Sequence, residues 1–227
     1  MKKAFCFDLF WTLVAPHFQE KNTEFEAAGL SKADFESVFE EKNFCLRRNL
    51  GEFKSVEEIT EEYAELSGIC FTAEQKKSIT AGRLERLKNC LLNVDEKILS
   101  VLEELKKRGY ILCLISNADN FDYYYWNSSP LKNYFDSVTF SGLCKSVKPE
   151  SGIYKAALEK NSLKAEECFF CGDGGHNELR GAKELGFTTV FTEYLLKKNE
   201  EVRKEILKSA DFVIQDFEEL LEIEKQF

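Results

Sequence analysis

Histidine and proline are scarce in this chain, and long apolar runs are absent. Only 2 of the 227 residues are histidine and 3 are proline. No histidine pair and no second cysteine pair stands at ligand spacing beside Cys168 and Cys171, so the sequence does not indicate a zinc site. The longest apolar runs, such as residues 110–115, are too short to span a bilayer, and no Pro/Gly-rich linker divides the chain.

Positive charge is also in the minority. Lysine and arginine number 31 against 40 acidic residues, which gives a net charge of -9. Such a chain offers no general electrostatic attraction for nucleic acid or for an anionic membrane. The first three residues lead directly into an apolar strand rather than into a signal peptide. We therefore expect a cytosolic protein that binds neither nucleic acid nor membranes, with its 8 cysteines reduced and in the core.

Short apolar runs alternate with amphipathic stretches over most of the chain. The predicted strands are Ala4–Phe7, 110–115, Ser137–Phe140, 168–171, 188–191 and Phe212–Ile214, and helices are predicted at 151–160, 178–185, 200–208 and 216–224. This alternation is typical of the α/β class, in which a doubly wound parallel sheet carries helices on both faces.

Residues 16–92 differ from the rest, because they carry helix-start signals and no convincing strand. Ser31, Ser55 and Thr72 each precede an acidic or amide residue by three positions, as at a capped helix start. We interpret 16–92 as an all-helical cap domain inserted into an α/β core of residues 1–15 and 93–227. The cap should lie above the carboxyl edge of the sheet, where it could close over a small substrate.

Polar side chains follow the ends of several predicted strands. They are Asp8 and Thr12 after the first strand, Ser116 and Asn117 after the second, then Lys148, and Asp173 after the strand at 168–171. In a doubly wound sheet such strand ends are neighbours along one crevice, so one site could hold all of them. An acid at the end of a buried strand is costly to keep without a cation or hydrogen bonds. We therefore expect a chemical task for Asp8, as a nucleophile.

These motifs resemble, in order and spacing, the haloacid dehalogenase-like hydrolase superfamily, and in particular its helical-cap branch. The resemblance covers nearly all of the chain and includes Tyr134-Phe135-Asp136, Ser141-Gly142, Lys148-Pro149 and Gly172-Asp173. It implies that Asp8 is the nucleophile, with Thr12 and Ser116-Asn117 at the transferring group and Lys148 as the neutralising cation. It also implies that Mg²⁺ is held by Asp8, the backbone carbonyl of Phe10, and Asp173.

Phosphoryl transfer suits this set of groups. A phosphoryl group accepts a carboxylate nucleophile only when cations offset the charge repulsion, which Mg²⁺ and a lysine can do. Asp8 would form an aspartyl-phosphate that water then hydrolyses. We therefore expect an Mg²⁺-dependent hydrolase, most simply a phosphatase that acts on a small phosphorylated metabolite. No feature of the sequence favours a monomer over a homodimer.

Phe10 departs from the family pattern, which usually has aspartate there as the general acid. General acid–base catalysis contributes roughly 10²–10⁴-fold, so cleavage of alkyl phosphates should be slow. Because family dehalogenases carry tyrosine at this position, a metal-free 2-haloacid dehalogenase is one alternative, and a binding or regulatory protein with weakened catalysis is another. Asp173 favours a metal, because it would repel Asp8 unless a cation separated the two.

Further residues are candidates for the substrate site. Trp11 stands where the family often has glycine and should narrow the pocket, while Glu178 could order a metal-bound water. Arg47 or Arg48 could bind an acidic group of the substrate, or both could be solvated on a helix surface. The two histidines, His17 and His176, could supply the missing acid or base, or they could be exposed loop residues.

Overall fold

One six-stranded sheet forms the centre of the computed structural model, which describes residues 2–226. Its strands are β1 (Ala4–Phe7), β2 (Ile111–Ser116), β3 (Ser137–Phe140), β4 (Cys168–Gly172), β5 (Thr188–Thr192) and β6 (Phe212–Ile214). All neighbouring strands are parallel, in the order β3-β2-β1-β4-β5-β6. The order reverses between β1 and β4, as in a doubly wound sheet. The predicted α/β class is confirmed.

The register of the sheet aligns the strand ends that carry the polar residues. Phe7, the last residue of β1, lies opposite Leu114 of β2 and Cys171 of β4. Asp8 therefore emerges between β2 and β4, one residue beyond the end of its own strand. This is the point where the strand order reverses and where open α/β sheets bind their ligands.

Between β1 and the later strands the chain is helical. The helices are α1 (Glu24–Ala28), α2 (Lys32–Phe39), α3 (Lys42–Asn49), α4 (Val56–Ser67) and α5 (Ala73–Leu92). Ser31, Ser55 and Thr72 cap α2, α4 and α5 with their side chains, as their sequence signals predict. The predicted helical insert is thus consistent with the structure, whereas the division into a cap of 16–92 and a core stays a prediction.

The remaining helices flank the sheet. They are α6 (Glu96–Lys107), α7 (Ser141–Cys144), α8 (Ser151–Glu159), α9 (Glu178–Glu184), α10 (Glu200–Leu207) and α11 (Leu220–Ile223). The single helix predicted over 216–224 instead begins with a 3-10 turn, Phe217–Glu219, before α11. Asp216 caps this turn through the Glu218 amide, and Phe217 is fully buried.

Alternate residues of β1 face two separate hydrophobic clusters. Ala4 and Cys6 pack into one, while Phe5 and Phe7 pack into the other. The second cluster extends without a break into the helical insert, where it includes Phe39. The insert and the rest of the chain therefore share one hydrophobic cluster.

All eight cysteines are free. Five of them are buried: Cys6, Cys90, Cys113, Cys168 and Cys171. Cys70 is exposed, so the prediction that the cysteines are core residues is wrong for this one, which lies between α4 and α5. Within residues 2–226, no helix has the length and apolar character needed to cross a membrane.

Candidate active site

A compact turn after β1 holds Asp8 at the carboxyl edge of the sheet. The Asp8 amide donates to the Cys171 carbonyl at 3.0 Å, which extends the pairing with β4 to this residue. The Trp11 amide donates to the Val14 carbonyl at 2.7 Å and closes the turn. Thr12, which is fully buried, donates its hydroxyl to Asp8 Oδ2 at 3.1 Å. One carboxylate oxygen of Asp8 is thereby fixed.

Three buried acids converge at this point. Oxygen atoms of Asp8, Asp173 and Glu178 lie within 4.8 Å of one another. The Lys148 ammonium donates to Asp8 Oδ1 and, at 2.5 Å, to Glu178 Oε2. Lys198 donates to Asp173 Oδ2 at 2.5 Å. Three carboxyl groups thus share two lysines and offer hard oxygen donors at one point, which suits Mg²⁺.

The electrostatics of the cluster show the same shortage of positive charge. Burial raises the pKa of Asp8, and the Asp173 carboxylate adds to this effect while Lys148 opposes it. Burial, followed by the Asp8 charge, raises the pKa of Glu178 well above its ordinary value. Burial would lower the pKa of Lys148, but Asp8 and Glu178 together raise it. An added cation would therefore favour the ionised carboxylates.

Asn117 holds the loop that carries Lys148. The Lys148 amide donates to Asn117 Oδ1 at 2.7 Å, and Asn117 Nδ2 donates to the Lys148 carbonyl at 3.2 Å. Ser116, the last residue of β2, is buried, and its hydroxyl donates to the Asn117 carbonyl at 3.3 Å. The loops after β2 and β3 are thus joined behind the lysine.

The loop after β4 orients the other two acids. The Gly175 amide donates to Asp173 Oδ1 at 2.9 Å, and the Gly174 amide donates to Glu178 Oε1 at 3.1 Å. A Cβ atom on Gly172 would lie 2.1 Å from Glu178 Oε1. Glycine at the end of β4 is therefore what allows the Glu178 side chain to fold back toward Asp8.

Two neighbouring cavities lie at this edge of the sheet and share part of their walls. The smaller one, about 290 Å³, is lined by the three acids and both lysines. The larger one, about 550 Å³, lies between the helical insert and the core. Both cavities are lined by Phe10, Trp11, Asn117 and His176. A substrate held at Asp8 could therefore extend into the larger cavity.

The adjacent arginines of α3 have different surroundings. Arg48 is buried, lines the larger cavity and forms an ion pair with Asp119. Arg47 lies outside both cavities and pairs with Glu52 at 2.9 Å and with Glu62. Neighbouring positions of a helix point about 100° apart, so only one of them faces the cleft. The structure does not bring Arg47 to the predicted substrate site.

Both histidines lie at the larger cavity. His176 lines both cavities, whereas His17 lines only the larger one and packs edge-on against Trp11, with ring centroids 5.1 Å apart. Trp11 has φ 60° and His176 has φ 51°, which are left-handed conformations uncommon for such large side chains. Tight turns thus bring these rings to the mouth of the site.

Four basic residues at these cavities were not identified from the sequence, and one of them, Lys32, is a largely exposed residue at the start of α2. Lys198 follows β5, at the same edge of the sheet as Asp8. Arg83 and Arg86 are buried on the face of α5 that also carries Leu87. A signal was available in the sequence. Arg83 and Arg86 lie at the same helical spacing as the apolar residues Ile79, Leu87 and Cys90, so they belong to the buried face of α5.

The fold and the site define an α/β protein of the doubly wound class, with a lysine and three acids at the point where the strand order reverses. Comparison with known families places it further: the family described as haloacid dehalogenase-like hydrolase matches residues 22–192. Because this match covers most of the chain, the protein belongs to the haloacid dehalogenase-like hydrolases. The family predicted from the motifs, and the prediction of a hydrolase, are confirmed.

Curated relatives include phosphatases. A glyceraldehyde 3-phosphate phosphatase of Pyrococcus furiosus is 32% identical over 125 residues, which are 54% of this chain and 50% of that protein. The glyceraldehyde 3-phosphate phosphatase of Methanocaldococcus jannaschii is 30% identical over 154 residues, 66% of this chain and 65% of that protein. The chain thus spans between half and two thirds of the length of these two relatives.

Solved structures of the same fold include a complex with phosphate and a dehalogenase. A family enzyme from Bacteroides thetaiotaomicron, in complex with magnesium and inorganic phosphate, has a TM-score of 0.67 at 20% identity and covers 89% of this chain and 99% of that one. An L-2-haloacid dehalogenase from Xanthobacter autotrophicus, with chloropropionic acid covalently bound, has a TM-score of 0.67 at 17% identity and covers 99% of both chains. These likenesses show the fold.

Proposed function

We propose that this hydrolase is an Mg²⁺-dependent phosphatase that acts on a small phosphorylated metabolite in the cytosol. The observation that carries the proposal is the buried cluster in which Lys148 bridges Asp8 and Glu178, with Asp173 beside them. A phosphate dianion needs cations beside its nucleophile, and this cluster combines a lysine with oxygen donors for a metal. The phosphatases among the relatives support the same activity.

The metal site in this proposal consists of oxygen donors only. Asp8, Asp173 and the backbone carbonyl of Phe10 would hold Mg²⁺, and Glu178 would order a water beside it. Bound there, Mg²⁺ would offset the negative charge of the acids and of the arriving phosphate. The residues present fit this ion, because three buried carboxylates share only two lysines.

The chemical steps follow from the positions of the side chains. A carboxylate oxygen of Asp8 attacks phosphorus, the bond from phosphorus to the leaving oxygen breaks, and water then hydrolyses the aspartyl-phosphate. Thr12 and Ser116 bind the transferring group, and Lys148 neutralises it. The leaving alkoxide needs a proton that Phe10 cannot supply. His176, which lines both cavities, is our candidate for that proton.

Two other activities remain as alternatives. The aromatic Phe10 at the cavity mouth would suit the release of halide, which needs no proton, and it would equally suit a binding protein with weak catalysis. Asp173 favours the phosphatase over the dehalogenase, because it places a second carboxylate within 4.8 Å of Asp8, where a metal ion could bind to both.

The proposal is tested with p-nitrophenyl phosphate, whose leaving group needs little protonation. Wild-type protein should hydrolyse it with Mg²⁺ and lose the activity in chelator. Asp8→Asn should lose at least 10³-fold in kcat, an order-of-magnitude figure for a lost nucleophile. Asp34→Asn, an exposed position on α2, is the matched control and should keep the wild-type rate.

Other results would change the assignment. Halide release from a 2-haloacid that persists in chelator would replace the phosphatase with the dehalogenase. If the protein turned over neither p-nitrophenyl phosphate nor any phosphometabolite in a panel, we would assign it as a binding protein instead.

A further inference from the structure

Helix α5 places a buried guanidinium with unused donors in the larger cavity. Arg83 is 6% exposed and lines this cavity. Its side chain forms no hydrogen bond within residues 2–226, and its Nε is buried without a partner. The carboxylates beside it, on Glu24 and Asp122, stand at 3.9 Å and 3.8 Å, beyond hydrogen-bonding distance. A buried charge without hydrogen bonds destabilises the protein unless a ligand supplies them.

The other two buried arginines of the cleft are already paired. Arg86 Nε donates to Glu24 Oε1 at 2.8 Å, and Arg86 Nη1 donates to the Pro16 carbonyl at 3.2 Å. Arg48 forms an ion pair with Asp119 and donates to the Phe39 carbonyl at 3.0 Å. Both arginines thus join parts of the protein to each other, whereas Arg83 faces the cavity with donors to spare.

Aromatic rings fix the position of the Arg83 guanidinium. Its central carbon lies 3.8 Å from the centroid of the Phe39 ring and 5.3 Å from that of Phe121. Packing against a ring leaves the N–H groups at the edge of the guanidinium plane free for a ligand. A planar, immobilised fork of this kind matches a carboxylate, which it can bind through two parallel hydrogen bonds.

Charges of both signs act on the Arg83 guanidinium, with Glu24 and Asp122 on one side and Arg48 and Arg86 on the other. Burial raises the pKa of Asp122 to about 7, and the Asp119 carboxylate adds to this, so near neutral pH Asp122 is only partly ionised. Burial lowers the pKa of Arg83, and the positive charges of Arg86 and Arg48 lower it further. An anion that binds Arg83 would favour the charged guanidinium and so oppose the lowering of its pKa.

We propose that the substrate is a phosphorylated carboxylic acid, whose carboxylate binds Arg83 while its phosphoryl group lies at Asp8. The inference rests on the proposed function and adds the chemical class of the substrate. The two cavities are adjacent and share Phe10 and Asn117 in their walls, so an elongated molecule that passes between these side chains can reach both. The acid sets the specificity, because a neutral analogue would leave Arg83 buried without a partner.

Matched pairs of substrates test this inference at two chain lengths. The pairs are 3-phosphoglycerate with glycerol 3-phosphate, and 6-phosphogluconate with glucitol 6-phosphate; the members of each differ only in carboxylate against hydroxymethyl. With Mg²⁺, wild-type protein should prefer the acid in at least one pair by 10-fold or more in kcat/KM, chiefly through KM. Equal values in both pairs, or a preference for the alcohols, would overturn the inference.

Variants of the cap arginines assign the preference to one residue. Arg83→Met should bring the acid-to-alcohol ratio of kcat/KM close to one, and Arg83→Lys should retain part of it. Arg47→Met, on the same cap but outside both cavities, is the matched control and should keep the wild-type ratio. An unchanged ratio in a folded Arg83→Met protein would contradict the assignment. The melting temperature of Arg83→Met is measured alongside, to show whether the variant is folded. If it is not, the acid-to-alcohol ratio of the wild-type protein still tests the inference.

A binding measurement separates this inference from the proposed function. Calorimetric titration of the Asp8→Asn protein with each pair, in Mg²⁺, should show at least 10-fold tighter binding of one acid. Acid-selective binding by a wild-type protein that hydrolyses no phosphate would refute the phosphatase and keep the Arg83 site. Hydrolysis of phosphates without acid selectivity in binding or turnover would keep the phosphatase and refute the Arg83 site.

Discussion

At the scale of single residues, Phe10 decides how the site treats the leaving group. It stands two positions after Asp8, lines both cavities and has no proton to give. The rest of the site retains Asp8, the nucleophile in our proposal, together with a lysine and oxygen donors. Phosphates with good leaving groups should therefore be cleaved readily, and alkyl phosphates only as fast as another group, such as His176, delivers a proton.

Replacing Phe10 by aspartate should supply the missing acid. We expect Phe10→Asp to raise the rate of alkyl phosphate hydrolysis relative to that of p-nitrophenyl phosphate by roughly 10-fold or more, within the range known for general acid catalysis. Steady-state kinetics on glycerol 3-phosphate and p-nitrophenyl phosphate give this ratio. Phe10→Asn serves as the control, because asparagine has nearly the same shape as aspartate but no titratable proton. An equal rise in both variants would point to relief of crowding by the phenyl ring instead.

At the scale of elements, the contact between α1 and α5 builds the basic wall of the cleft. A Cβ atom on Gly82 would lie 2.8 Å from the Glu24 amide nitrogen, so glycine permits the two helices to approach this closely. The approach brings the buried Glu24 carboxylate onto Arg86 at 2.8 Å and within 3.9 Å of Arg83. Helix packing, rather than a loop, therefore positions the arginine that we assign to the substrate.

Gly82→Ala should separate these helices. The added methyl group overpacks the contact at a cost of about 1–3 kcal/mol, which exceeds the gain of about 1 kcal/mol in helix propensity. We expect a lower free energy of unfolding in urea and a raised KM for acidic substrates. Ser78→Ala, at an exposed position of the same helix, should change neither quantity. A more stable Gly82→Ala protein would show that the two helices tolerate separation.

At the scale of the whole molecule, the acid cluster links metal binding to folding. Asp8 and Asp173 come from strand ends far apart in sequence, so the unfolded chain does not hold them together. A cation that binds them therefore binds the folded state only and stabilises it by mass action. The helical insert shares one hydrophobic cluster with the core, so both should unfold in the same transition.

Mg²⁺ should accordingly raise the melting temperature. At 100 times its dissociation constant it adds about 2.7 kcal/mol, which for a protein of this size corresponds to about 5–10 °C. Differential scanning fluorimetry over a Mg²⁺ series measures the shift. Asp173→Asn should lose most of it, while Asp34→Asn should retain it. A wild-type melting temperature that does not depend on Mg²⁺ would count against the metal site.

The sequence by itself determined the strands, the helix caps and the residues at the strand ends. These features depend on short-range physics, because a buried parallel strand needs an apolar run and a helix start needs a capping side chain. Asp8, Lys148 and Asp173 could be grouped in advance because the carboxyl ends of parallel strands meet at one edge, and the family resemblance added Glu178. The cluster in the structure agrees with that grouping.

Only the tertiary structure decided which side chains face the cleft. Of the adjacent Arg47 and Arg48, the packing of α3 turns just one inward, and no local pattern distinguishes them. The sequence places Arg83 among the apolar positions of α5, but only the packing of α1 and Phe39 around it shows that it is buried with unused donors. The charge on a side chain is a property of the sequence, whereas its burial and its hydrogen bonds depend on elements distant along the chain.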